Sequence, residues 1–219
     1  MNIKTCSTIL IENNYKNKFI ILTHNSQRKS WEIPGGYIDP GESVKDGARR
    51  ELFEETFNLF HLNKKAFQTF FTQNNHATYI INLYGSIFTK YYYENMNKIN
   101  KYKNISLHSH LHSQLHSQSY SHFKETDGIT RIPINNSLIK LLKTYKNKQN
   151  AFFKDINNNT ININHYTIKN IKRAILGSKI FNIKPNLYLD ALSYNVKLRK
   201  KYKSRNIKNS ILDGTKHYI

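Results

Sequence analysis

The chain has 219 residues, with 34 Lys and Arg against 14 Asp and Glu, a formal net charge of +20. Its single cysteine, Cys6, excludes an internal disulfide and suits a reducing compartment. No apolar run approaches the roughly 18 residues of a membrane helix, and no charged segment followed by an apolar stretch marks a secretory signal, so a cytoplasmic or nuclear protein is expected.

The predicted elements run as follows. Thr5 to Glu12 is apolar and β-branched and reads as a strand, Asn13-Asn14 as a turn, and Phe19 to Leu22 as a second strand. Trp31-Glu32-Ile33-Pro34-Gly35-Gly36 reads as a strand ending in a Pro-Gly-Gly turn. A Pro40-Gly41 turn and a Ser43 N-cap introduce a helix over Val44 to Phe57, with Ala48 and Leu52 packing inward. Strands are expected at Ala66 to Thr72 and Thr78 to Lys90, with Asn74-Asn75 as the turn between them.

Residues 94–124 break the pattern. The alternating histidines His108, His110 and His112, with His116 and His122, have a spacing that suits Zn2+ or Ni2+. A Ser/Gln/His-rich stretch that cannot bury a core reads first as a solvated, disordered insertion. Order is expected again from Lys124 to Pro133, a strand, and from Ser137 to Lys146, a helix. Further helices are expected at His165 to Leu176, stopped by Gly177, and at Leu187 to Tyr202.

The scarce acids are concentrated. Glu42, Glu51, Glu54 and Glu55 fall between Gly36 and Leu59. On a helix, Glu51, Glu54 and Glu55 stand at i, i+3 and i+4 and share one face. Three like charges there repel one another, and a hard divalent cation with oxygen ligands removes that repulsion. Arg50, four residues before Glu54, is placed to pair with a neighbouring acid. Without the Gly-rich turn just upstream, a plain solvated acidic face would explain the pattern equally well. The two glycines allow close backbone approach to a ligand or metal.

The stretch Gly36, Glu42, Arg50-Glu51-Leu52, Glu54-Glu55 resembles the Nudix box, G-x5-E-x7-R-E-U-x-E-E-x-G-U, where U is a bulky aliphatic residue. The preceding Trp31 to Gly36 is similar to the family's W-x-x-P-G-G lead-in. Phe57 stands where the family has Gly. Asn58 follows and is the next best residue for the left-handed conformation that closes a helix, so the helix is expected to end one residue later.

The resemblance implies an α/β/α sandwich with a mixed sheet, occupying residues 1–148, and a Mg2+- or Mn2+-dependent pyrophosphohydrolase acting on a nucleoside diphosphate linked to a further group. It implies a metal site of Gly36, Glu51, Glu54 and Glu55, with Gly35, Glu42 and Arg50 bracing it. The general base stays open among Glu51, Glu54 and Glu125; Asp127 is the second choice to Glu125 in the late strand.

Residues 149–219 are expected to form a basic, helical extension. Residues 151–219 hold 14 basic and 3 acidic side chains, a net of +11 in a third of the chain. Lys197, Arg199, Lys200, Lys201, Lys203 and Arg205, interleaved with tyrosines, suit an RNA backbone with stacked bases. A/T-rich codon usage accounts for a Lys- and Asn-rich chain equally well, and the short apolar face disfavours a membrane surface. Three functions follow: removal of the 5′ cap from RNA, as in decapping and viral-type members of the family; hydrolysis of a free nucleotide such as ADP-ribose, a dinucleoside polyphosphate or a nucleoside triphosphate; or RNA binding by an inactive module. The first is preferred on charge, by analogy.

Overall fold

In β1 (Thr5–Asn14), Cys6 and Leu10 face one side and Ile9 and Ile11 the other, all buried. A strand apolar on both faces belongs in the middle of a sheet covered on both sides, and β1 lies there. The computed structural model describes residues 2–14, 17–56, 60, 62–84, 126–146 and 149–177. Among these, the remaining strands are β2 (Asn17–Asn25), β3 (Ser30–Glu32), β4 (Gly35–Tyr37), β5 (Thr69–Gln73), β6 (His76–Tyr84), β7 (Thr126–Pro133), β8 (Ala151–Lys154) and β9 (Thr160–Ile163). The helices are α1 (Val44–Glu55), α2 (Asn136–Thr144) and α3 (His165–Leu176), with a short 3-10 turn at Lys64–Ala66.

The strands form one mixed sheet in the order β5-β6-β1-β2-β3-β9-β8, with β4 also paired to β1 and β7 to β2. The pairs β1–β6 and β3–β9 are parallel, and the others antiparallel. Under α1, one core layer gathers Cys6, Leu10, Ile21, Leu52 and Phe67. Under α2 and α3, the other gathers Ile9, Ile20, Leu22, Leu138 and Ile171. The result is the expected α/β/α sandwich.

The central geometry is a divergence. β1 pairs with β2 only over Ile11–Asn14, then turns to β4 over Thr5–Ser7. The segment 30–37 wedges between the two: β3 pairs with β2, and β4 pairs with β1. The single strand expected from Trp31 to Gly36 is therefore two strands. Pro34 has no N–H to give a ladder, so the chain changes partner there, and the Pro34 carbonyl accepts from Thr8 N at 2.8 Å.

Several boundaries differ from expectation for local reasons. Asn13 and Asn14 pair with Lys18 and Asn17 instead of turning. Helix α1 ends at Glu55, where Thr56 leaves the helical conformation (φ −101°, ψ 23°) with its hydroxyl bonded to the Leu52 carbonyl; Phe57 and Asn58 lie outside the described residues. The Asn63 side chain caps the 3-10 turn by accepting from Lys65 N, which delays β5 to Thr69. Asn74 turns the β5–β6 hairpin with φ 54°.

The larger correction concerns residues 149–177, which do not leave the sandwich. β8 and β9 form a hairpin that joins the sheet through β3, and α3 caps the second core layer with Ile168, Ile171 and Ile175. The Asp155 carboxylate organises the hairpin turn, accepting from Asn157 N and Asn159 N, and also from the Thr130 hydroxyl on β7. Asn164 and Gly177 cap α3 over the span read from the sequence. The insertion at 94–124 and the helix expected at 187–202 lie outside the described residues.

Arg131, on β7, is buried with Glu12, which accepts from its Nη1 through both carboxylate oxygens at 3.1 and 2.8 Å. The guanidinium also lies over the Phe19 ring.

Candidate active site

Ser43 starts α1 by accepting from Asp46 N, and the helix packs against β1 and β4. Ala48 and Leu52 point into the core. The stripe of Arg50, Glu51, Glu54 and Glu55 is left at the border, facing Gly35–Tyr37.

Arg50 is the hub. Its Nε and Nη2 donate to the two oxygens of Glu42 at 3.2 and 3.0 Å, its Nη1 to Glu51 at 2.8 Å and Glu54 at 3.1 Å, and its Nη2 to the Tyr37 carbonyl at 2.8 Å. Asp39 lies 3.3 Å away as a fourth carboxylate. Burial works against the guanidinium's charge, but the hydrogen bonds to Glu42 and the charge of Glu51 outweigh it and raise its pKa. Arg50 thus stays charged and ties the 37–42 loop to the helix. Glu42 completes the tie by accepting from Asp39 N at 3.1 Å.

The glycines serve different neighbours. A Cβ on Gly35 would lie 2.3 Å from the Cys6 carbonyl oxygen and 2.6 Å from Ser7 Cα, so β4 can approach β1 only without one. A Cβ on Gly36 would lie 2.6 Å from the Glu51 carboxyl carbon, so the Glu51 side chain fills the space over that glycine. Gly35 N donates to Glu55 at 2.7 Å. Backbone and helix are thereby fastened together at the carboxylates.

Cys6 lies directly beneath, with its thiol 3.9 Å from the Gly36 carbonyl oxygen. Burial, reinforced by the charge of Glu51, pushes its pKa up to about 12, so at neutral pH it is a protonated core residue.

The structure therefore brings Gly35, Gly36, Glu42, Arg50, Glu51, Glu54 and Glu55 into one cluster. Among the described residues no group of three or more His, Cys, Asp or Glu side chains converges as a ready metal cage. Glu51 and Glu54 instead turn to Arg50, which neutralises the repulsion along the helix face. The donor set still fits a hard divalent cation: three carboxylates on one helix beside a glycine backbone, all oxygen donors. Zinc-type sites favour sulfur and imidazole, and the nearest sulfur, Cys6, is protonated.

Glu125 lies outside the described residues, as do Lys197, Arg199, Lys200, Lys201, Lys203 and Arg205 and the histidines of the insertion. Asp127 is described and exposed. It bonds His24 Nδ1, whose ring lies tilted against Trp31 with centroids 5.1 Å apart. Sequence reasoning missed Asp39, whose place between Gly36 and Glu42 was the available signal. It also missed Thr8 and Thr167, which hold the Ile33–Pro34 backbone from outside the motif.

Residues 3–98 match a family model described as the NUDIX domain. Over 37 residues, 17% of this chain, it is 46% identical to a "Putative 8-oxo-dGTP diphosphatase" of Bacillus subtilis and 43% identical to "Nucleoside diphosphate-linked moiety X motif 6" of Mus musculus. Those stretches span only 25% and 12% of the two relatives' own lengths. Among solved structures, a MutT/nudix family protein from Enterococcus faecalis superposes with a TM-score of 0.43 at 14% identity, covering 100% of this chain and 82% of that one. A C. elegans Ap4A hydrolase superposes with a TM-score of 0.29 at 19% identity, covering 38% and 68%. These superpositions are too loose to carry an argument; the fold rests on strand order and register.

Proposed function

We propose that the chain is a Nudix-type hydrolase, on the match of residues 3–98 to the NUDIX domain, and that it hydrolyses the diphosphate linkage of a nucleoside diphosphate joined to a further group. The observation that supports this most is the Gly35 N–H bonded to Glu55 and the Glu51 carboxylate packed over Gly36, with Arg50 bracing the helix face. Glu51, Glu54, Glu55 and the Gly36 carbonyl would hold Mg2+ or Mn2+. When bound, such a cation neutralises phosphoryl charge and lowers the pKa of an attacking water.

This chain's residues then have defined tasks. A water oxygen attacks one phosphorus of the diphosphate, and the bridging P–O bond breaks. One phosphate leaves with the bond's electron pair, and the water's proton passes to a carboxylate. Glu51, Glu54 and Glu125 are the candidates for that base. Glu42 and Arg50 keep the loop and helix in register and touch no substrate.

Capped RNA is the preferred substrate, because a +20 chain attracts a long polyanion far more strongly than it does a single nucleotide. The basic side chains from Lys197 to Arg205 would supply the RNA contact. A free-nucleotide substrate is the second reading, favoured by the diphosphatase name of the Bacillus relative. A panel of capped RNA, ADP-ribose, diadenosine polyphosphates and nucleoside triphosphates, each with Mg2+ and Mn2+, separates the two. Cap release with kcat/KM above every free nucleotide supports the first. Turnover of a free nucleotide alone overturns it, and no turnover of any substrate overturns hydrolysis itself.

A further inference from the structure

The Ile33–Gly35 turn is held from three directions, and one of them lies outside residues 3–98. Gly35 N donates to Glu55 on α1, and the Pro34 carbonyl accepts from Thr8 on β1. Ile33 has left the β2 ladder, and its N–H donates at 3.2 Å to the buried hydroxyl of Thr167, in the first turn of α3.

The same segment grips the approach to the turn. Asn162 Nδ2 donates to the Lys29 carbonyl at 3.3 Å, Asn164 N to the Trp31 carbonyl at 3.0 Å, and Asn164 Nδ2 to Glu32 at 3.2 Å. Ile163 is in register with Trp31. These bonds fall on backbone and side chains from 29 to 33, directly upstream of the two glycines. A hairpin and helix needed only to cover the core could bury Ile161, Ile168 and Ile171 without a hydroxyl aimed at Ile33.

We infer that Thr167 is a positioning residue for the Gly35–Gly36 turn, and that the β8–β9–α3 segment sets the geometry of the carboxylate site through it. This rests on the hydrolase reading for its effect on rate, but not for its effect on cation binding. If Thr167 no longer accepts, Ile33 N–H is buried without its partner, and the turn shifts relative to Glu51 and Glu55.

The test compares Thr167→Val, which removes the acceptor, with Thr167→Ser, which keeps it. Mn2+ affinity is read on the free full-length protein by electron paramagnetic resonance, and kcat and KM are read separately, all well below the variants' melting temperatures. Supporting groups of this kind typically change metal affinity or activity by about 10–100-fold, so Thr167→Val is expected to lose about tenfold or more in Mn2+ affinity and in kcat, with KM little changed. Thr167→Ser is expected to restore both. Asn164→Ala, which removes the bond to Glu32 and the side-chain cap of the helix that carries Thr167, is a second variant should Thr167→Val not fold, with the same loss of Mn2+ affinity expected.

A lower melting temperature with wild-type Mn2+ affinity and kcat would overturn the inference, since Thr167 would then only stabilise the fold. So would a wild-type protein that binds no Mn2+. If Mn2+ affinity falls in Thr167→Val and returns in Thr167→Ser while no diphosphate is cleaved by any form, the positioning role stands and the hydrolase reading falls.

Discussion

Two adjacent glycines should respond oppositely to the same substitution. In Gly35→Ala the new methyl meets backbone, 2.3 Å from the Cys6 oxygen and 2.6 Å from Ser7 Cα, whereas ordinary contact begins near 3.4 Å. Neither atom can move alone, so β4 must separate from β1 by about 1 Å. Overpacking of this kind typically costs about 1–3 kcal/mol; with backbone on both sides of the clash about 3 kcal/mol is expected, which at about 2–4 °C per kcal/mol for a chain of this size is a melting temperature lower by about 6–12 °C. In Gly36→Ala the atoms nearest the methyl are the carboxylate end of the Glu51 side chain. That side chain can swing away, so the fold should melt within about 2 °C of wild type, given the same conversion. The cost appears in the site: with Glu51 displaced, Mn2+ affinity and kcat should each fall by about tenfold or more. Thermal melts and Mn2+ titration on the two variants read both quantities. A Gly36→Ala protein with wild-type Mn2+ affinity and turnover would refute the assignment of Glu51 to the cation site. A Gly35→Ala protein that melts like wild type would refute the close approach of β4 to β1.

The remaining predictions concern the core and pH. Glu12→Gln removes the carboxylate charge that the buried Arg131 Nη1 bonds through both oxygens, and breaking such a pair costs about 3–5 kcal/mol; urea denaturation should show it, and an unchanged midpoint would mean that the pair contributes nothing. Cys6 has its folded pKa raised from 9.0 to about 12. The unfolded chain therefore loses this proton first, and stability should fall as pH rises from 9 towards 12. Cys6→Ala should flatten that part of the profile, and an equal slope in both proteins would contradict it. Burial lowers the pKa of His76, whose two ring nitrogens lie 2.8 Å from the Thr5 and Ser7 hydroxyls. Here the unfolded state takes up the proton first, so stability should drop as pH falls below 6.5. His76→Gln should lessen that drop, and a profile identical to wild type would refute it.

What could be read from the chain alone was local. Ser43, the inward Ala48 and Leu52, and the i, i+3, i+4 acids are all fixed by helical spacing, so α1 and its carboxylate face were legible. So was α3, stopped by Gly177. The partners of Arg50 were only half legible: Glu54 lies one helical turn away, but Glu42 and Asp39 reach it only because the loop folds back. The separate duties of Gly35 and Gly36 depend on β1 and Glu51, which no spacing rule connects. The β8–β9 hairpin was missed because its strands are four residues each, too short to show a period. It is recognised by its parallel contact with Trp31, more than a hundred residues away. Charge then misled: the high Lys and Arg content of the C-terminal third suggested a separate tail, while Ile161, Ile163 and Ile168 were already committed to the core.

The most direct measurement is the metal-dependent hydrolysis rate of Glu54→Gln and Glu55→Gln beside wild type, on whichever diphosphate substrate the panel identifies. Each substitution keeps the side chain's size and removes a charge from the proposed cation site. Both variants should melt near the wild-type temperature and lose about 10²-fold or more in kcat, the scale of a lost positioned acid–base or metal-holding group. Turnover at the wild-type rate in both folded variants would contradict the claim that this helix face holds the cations that cut the bond.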